Sequence, residues 1–295
     1  MTADSSNSAP AWFQRAVRSP YEEHEVAVDS CGIRYLAWGD REAPPLVLLH
    51  GGAAHAHWWA FIAPLLADRF RIVAPHMRGM GDSDYSDSYT MDQFVGDVMA
   101  VCDHAELTGR VKIIGHSMGG YVTLKTALTQ PHRVDRIVVV DSAIRTHDDP
   151  RRFNPKKSPF RSKKRYSTLG EACRQFRLVP DQPCENTYLM EYIARHSLKP
   201  VDGGWTWKFD VNFMNRLQID YMREAIPNLS RPCGILHGEH SRICTPDVIA
   251  SMKSLFPAGT PFVEIPGAHH HVMLDRPLEF VEALIGILNG NGQDG

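Results

Sequence analysis

The stretch Val111-Lys112-Ile113-Ile114-Gly115-His116-Ser117-Met118-Gly119-Gly120-Tyr121-Val122-Thr123-Leu124-Lys125 decides the reading of this 295-residue chain. A short apolar run ends on glycine, a serine stands in a G-x-S-x-G turn, and a helical pattern follows. A strand, a sharp turn and a helix in that order push a serine hydroxyl out at the edge of a sheet. The flanking glycines leave room where a strained turn packs closely. The helix behind Ser117 supplies free N–H groups and a positive dipole end.

Working outward, the same style of apolar run recurs at 45–49, 71–75, 111–115, 135–140, 232–236 and 261–265. Runs of this length, ended by turn residues, suit strands buried on both faces of a parallel sheet. Helical patterns occupy 91–107, 118–130, 246–256 and 276–289. The alternation predicts an α/β fold with a mostly parallel central sheet and flanking helices. Ligands of such sheets bind at the strand C-termini. The rhythm breaks from 145 to about 226, with helical patches near 168–177 and 186–197. We read this as an inserted, mainly helical cap between a first core part (1–144) and a second (227–295). Its 151–165 stretch has eight basic residues and no acid, which reads as a solvated face or as attraction for an anionic group.

Composition narrows the class. Lys+Arg 32 against Asp+Glu 34 leaves a net charge of −2, so no global nucleic-acid footprint exists. No run approaches the roughly 18 apolar residues of a membrane span, and the first twenty residues do not resemble a secretory signal. None of the six cysteines forms a CxxC pair, so a reduced cytoplasm is the expected compartment. A small-molecule substrate, with no nucleic acid and no membrane, is the expected partner. No nucleotide, flavin or metal motif is present, so no cofactor is expected.

The 15 histidines are conspicuous. His50-Gly51-Gly52-Ala53 follows the 45–49 run, where a glycine turn exposes backbone N–H donors able to hold an oxyanion together with that of Met118. Gly267-Ala268-His269-His270-His271 precedes Asp275-Arg276-Pro277 near the C-terminus. Three adjacent histidines seldom converge on one ion, so a metal reading is weak.

On these three motifs the sequence resembles the α/β-hydrolase superfamily, in its capped esterase and carbon–carbon hydrolase-like branch. The resemblance implies Ser117 as nucleophile and His270, by its spacing from Asp275-Arg276-Pro277, as general base. It places the oxyanion donors at Gly52, or Ala53, and Met118. The family's usual acid position falls here on Ser241, which cannot carry the charge. Some members place the acid after the strand that follows the nucleophile helix, and that slot is Asp141. Glu239 is the nearby alternative, so the acid is Asp141 or lies in the Glu239–Ser241 turn. Ala53, His55, His57, Trp205 and Trp207 are candidate substrate contacts. Trp58 and Trp59 read as helix packing, and His50, His76, His116 and the Arg78–Ser83 turn as scaffold. The implied activity is hydrolysis of an ester or lactone through an acyl-enzyme. Carbon–carbon bond hydrolysis of a vinylogous diketone, cofactor-free oxygenase chemistry and turnover-free ligand binding are the alternatives.

Overall fold

The computed structural model describes residues 9–145 and 164–290. Helix α1 (Ala11–Arg18) precedes strands β1 (Glu22–Val28), β2 (Cys31–Trp38), β3 (Pro45–Leu49) and β4 (Arg71–Pro75). A short β5 (Tyr89–Thr90) leads into α2 (Met91–His104), then β6 (Val111–His116), α3 (Met118–Thr129) and β7 (Val134–Val140). Next come α4 (Leu169–Arg174), α5 (Thr187–His196), β8 (Leu198–Val201), β9 (Gly204–Trp207), α6 (Phe213–Arg216) and β10 (Leu217–Gln218). The chain closes with β11 (Cys233–Gly238), α7 (Pro246–Lys253), β12 (Phe262–Ile265), α8 (Val272–Asp275) and α9 (Pro277–Leu288).

Eight strands form one sheet in the order β1-β2-β4-β3-β6-β7-β11-β12. The six apolar runs seen in the sequence are its parallel strands, β4 through β12 in that order. The β1–β2 hairpin adds an antiparallel edge that the runs did not reveal. Its β1 alternates half-buried and exposed residues, and its turn is Asp29-Ser30, both at positive φ (48° and 63°). That is the primed geometry a two-residue hairpin needs, reached without the usual glycine.

Successive residues of each strand feed opposite cores. Val47, Leu49, Ile113, Ile137, Val139 and Ile235 pack with Phe94, Val98, Val122 and Met252 of α2, α3 and α7. Leu46, Leu48, Ile114, Val138, Val140 and Leu236 pack with Phe13 of α1 and Phe280 and Leu284 of α9. The sheet is therefore covered on both sides, which is why its strands read as continuous apolar runs. The chain leaves β3 for β4 on one side and returns to place β6 on the other. This reversal opens a crevice at the C-terminal ends of β3 and β6. Ser117 and Gly51–Gly52 sit at those ends.

Between β7 and β11, the described residues carry helices α4, α5 and α6 together with the β8–β9 hairpin and the short β10. Most of the basic 151–165 stretch lies outside the described residues. No described helix is long and apolar enough to cross a membrane.

The loop after β4 braces the crevice and is itself fixed by a buried ion pair. Arg78, 1% exposed, donates from Nε to Asp97 Oδ2 of α2 at 2.6 Å and from Nη2 to the other oxygen. Removing one member leaves the other charge buried and unpaired. Asp97→Asn should therefore destabilise the fold by about 3–5 kcal/mol; a urea midpoint equal to that of the parent protein would contradict this pairing.

Candidate active site

Ser117 occupies φ 53°, ψ −117° between β6 and α3, a conformation that costs a non-glycine residue about 1–3 kcal/mol. The surroundings hold it there. Its N–H donates to Val140 O (2.9 Å), and its carbonyl accepts from Gly120 N (2.9 Å) and Ser142 Oγ (2.6 Å). Close backbone approach explains two glycines. A Cβ on Gly115 would lie 2.2 Å from Gly119 O, and one on Gly119 would lie 2.5 Å from Leu49 O. The start of α3 thus rests directly on the end of β3. The Gly52 Cβ position is 3.9 Å from Met118 Sδ, so the two glycine turns are neighbours.

The turn after β3 is tied to the loop after β4. His50 Nδ1 donates to Gly51 O (2.7 Å) and Nε2 accepts from Met77 N (3.0 Å). Ala53, at φ 58°, donates its N–H to Met80 Sδ (3.2 Å).

His270 lies on the loop after β12 and is 3% exposed. Its Nδ1 is 2.8 Å from Asp141 Oδ1. Asp141 ends β7 at φ 45° and is fully buried. Its carboxylate also accepts from Gly238 N (2.9 Å, Oδ2) and Ser241 Oγ (2.6 Å, Oδ1). Glu239, the alternative acid, instead accepts from Gly267 N at 2.8 Å. Asp275 accepts from His269 N at 2.7 Å. Of these acids, Asp141 is the one brought to His270. His116 Nε2 donates to the His270 carbonyl (2.9 Å) and steadies that loop.

Ser117 and His270 line one cavity of about 260 Å³, together with Gly52, Ala53, His55 and Trp207. His57 does not line it. The Ala56–Trp58 segment is a 3₁₀ turn rather than an α-helix, with about three residues per turn and eclipsed i, i+3 side chains. His55 and Trp58 therefore share the cavity side, and Trp58 is a lining residue. His57 points elsewhere and packs on His196 at 4.1 Å between ring centroids. Trp59 is fully buried against Phe280. Trp205 is likewise absent from the cavity wall: it stands two residues before Trp207 on β9, roughly 7 Å away, and both rings pack on the Tyr166–Leu198 cluster. His271 and Phe176 also line the cavity, and no sequence signal marked Phe176.

Among the described residues, the lysines and arginines lining the cavity are Lys164, Arg177 and Lys208, and no carboxylate joins them. Lys208 is paired with Asp82 at 2.8 Å. Six of the buried histidines are held neutral. Burial pushes His50 down to about 4 and His57 and His116 down to about 3; it puts His55, His76 and His271 well below the ordinary value. Two groups place three potential metal ligands within 4.8 Å of one another: His116, His270 and His271, and His57, His76 and Asp82. In the first, His116 and His270 already hold the bonds described above. In the second, His76 Nδ1 faces Ala56 N and Asp82 N, and the Lys208 ammonium sits on Asp82.

Residues 44–277 match the family described as alpha/beta hydrolase fold, and the chain belongs to that family. It is 26% identical over 257 residues to an sn-1-specific diacylglycerol lipase of Danio rerio, covering 85% of this chain and 80% of that one. It is 24% identical over 278 residues to a 2-hydroxy-6-oxo-6-(2'-aminophenyl)hexa-2,4-dienoic acid hydrolase of Metapseudomonas resinovorans, covering 92% of each. In fold it is similar to the thioesterase domain from the curacin biosynthetic pathway (TM-score 0.76, 20% identity, 90% of this chain and 100% of that one).

Neutral buried histidines have a pH consequence. Their folded values lie below 6.5, so on acidification the unfolded chain takes up protons first. Their contribution is complete above about pH 6.5 and is lost as the pH falls toward 4. Urea midpoints should drop between pH 7.5 and 4.5. The drop should be smaller in His116→Gln, which keeps the donor to His270 O without an ionisable ring; an identical pH slope would contradict this account.

Proposed function

We propose that this α/β-hydrolase-fold protein is a serine hydrolase that cleaves an ester or lactone of a small molecule. The observation that carries the reading is the buried His270 Nδ1–Asp141 Oδ1 contact at 2.8 Å, with His270 and Ser117 on one cavity. Asp141 fixes the imidazole with Nδ1 protonated, which leaves Nε2 free to take the Ser117 proton. Ser117 Oγ then attacks the carbonyl, and the N–H groups of Gly52 and Met118 hold the oxyanion. Ala53 N–H is directed at Met80 Sδ, which favours Gly52 as the second donor. Asp141 stabilises the imidazolium, which protonates the departing alcohol. Water activated by His270 releases the acid and restores Ser117.

The segment between β7 and β11 serves as the cap. Tyr166, Phe176 and Trp207 give the cavity an apolar wall, suited to an acyl chain or ring. The cationic Lys164 and Arg177 favour a substrate that carries an anionic group. Carbon–carbon bond hydrolysis is the second reading; the likeness to a dienoic acid hydrolase over 92% of both chains favours it, and the same three residues would serve.

Ser117→Ala should abolish both turnover of p-nitrophenyl butyrate and labelling by a fluorophosphonate. Asp141→Asn should lower kcat by about 10⁴-fold, as an acid of this kind does, with unchanged circular dichroism. Near-normal kcat in Asp141→Asn would remove Asp141 from the mechanism. Absence of labelling in the parent protein would remove Ser117.

A further inference from the structure

Ser241 stands in the turn after β11, 6% exposed, and its hydroxyl is hydrogen-bonded on every side. Oγ accepts from Ile243 N at 3.1 Å and Cys244 N at 2.9 Å. It donates to Asp141 Oδ1 at 2.6 Å. A serine hydroxyl has two acceptor sites and one hydrogen. The two amides occupy both acceptor sites, so the hydrogen has one place to go. Turning it away would set it against an N–H donor and leave a buried carboxylate oxygen short of a partner. Ser241 is therefore a donor of fixed direction.

That direction matters because of what else meets Asp141 Oδ1. The same oxygen accepts from His270 Nδ1 at 2.8 Å, and Oδ2 accepts from Gly238 N at 2.9 Å. Asp141 is fully buried, so protein donors set the rotation of the carboxylate about its last bond. Gly238 fixes one oxygen and Ser241 the other, leaving Oδ1 aimed at the imidazole. Without the Ser241 donor, Oδ1 loses its hydroxyl partner, and the imidazole and the weakly donating Cys244 thiol beside Asp141 are left to hold the carboxylate plane.

We infer that Ser241 is a positioning residue for the hydrolytic reaction: acting through Asp141, it holds the carboxylate oxygen that orients His270. The inference rests on the assignment of Ser117, His270 and Asp141 proposed above. A purely structural Ser241 would only cap the turn at 241–244, and its loss would lower stability and nothing else.

The test compares Ser241→Ala, Ser241→Thr and Ser241→Cys in the full chain. Each is measured for kcat and KM on p-nitrophenyl butyrate, for melting temperature, and for the low-field proton NMR resonance of the His270 Nδ1–H. Ser241→Ala should lower kcat about 10- to 100-fold, the scale of a small misplacement in an active site, with KM within about twofold. It should also shift or broaden the low-field resonance. Ser241→Thr, which keeps the hydroxyl, should restore both. Ser241→Cys, similar in size but a weak donor, should fall between, and it preserves the test where the alanine variant does not fold. An unchanged kcat and an unchanged resonance in the alanine or cysteine variant, with or without a lower melting temperature, overturn the inference. The resonance does not depend on turnover. Should the parent protein hydrolyse no ester and take no fluorophosphonate label, the proposed function fails, while the Ser241–Asp141–His270 coupling is still read by NMR.

Discussion

The burial of one carboxylate organises the sheet edge that carries Ser117 and His270. Asp141 has no solvent to turn to, and an unpaired buried charge is among the costliest features a fold can carry. Its donors come from three places: the end of β11, the turn after it, and the loop after β12. Satisfying Asp141 therefore fixes the relative positions of β7, β11 and the histidine loop. Asp141 N–H also donates to Leu236 O, and Ser117 N–H to Val140 O, so the serine turn belongs to the same frame. Two non-glycine residues at positive φ, Ser117 and Asp141, sit on adjacent strand ends. Ser117 is bonded through its backbone to Val140 and Ser142, the residues on either side of Asp141.

The histidines divide by environment. His50 has both ring nitrogens engaged, one donating to Gly51 O and one accepting from Met77 N, and a second proton would break the latter contact. His116 is a neutral brace on the His270 carbonyl. His55 donates from Nε2 to Ser197 Oγ, whose own proton goes to Ile193 O, linking the turn after β3 to α5. Burial without a charged partner disfavours the protonated ring in each of these. Among the buried histidines of this edge, His270 is the one placed against a carboxylate at hydrogen-bond distance. A residue type that looks like a surplus in composition thus becomes one buried ring set against a carboxylate and several that burial keeps neutral.

The elements between β7 and β11 supply part of the cavity wall. Phe176 follows α4, Ser197 ends α5 and Trp207 ends β9, and all three face the cavity. The aromatic cluster of Phe13, Phe61, Tyr188 and Tyr192 joins α1 and α5 to the 3₁₀ segment that carries His55 and Trp58. Shape and polarity of the cavity are therefore set by residues far apart in the chain, while its chemistry comes from the strand ends.

The sequence by itself determined the parallel core, because strands buried on both faces must be continuously apolar and their helices must show a 3.6-residue stripe. It determined the serine turn too, since Gly115 and Gly119 mark where backbone meets backbone. The β1–β2 edge stayed hidden because a half-exposed strand has a weaker pattern and its turn uses Asp29-Ser30. The carboxylate facing His270 could not be read from spacing. Asp141, Glu239 and Ser241 all stand at strand ends of the same sheet edge, and the contacts that separate them join residues 97 to 129 positions apart. His57 and Trp205 were beyond reach for a related reason: whether 56–58 winds as a 3₁₀ turn, and how far β9 runs past the cavity, depend on what packs against them. Local pattern sets which elements form; only the assembled structure decides which of several suitable side chains arrives within hydrogen-bond distance of its partner.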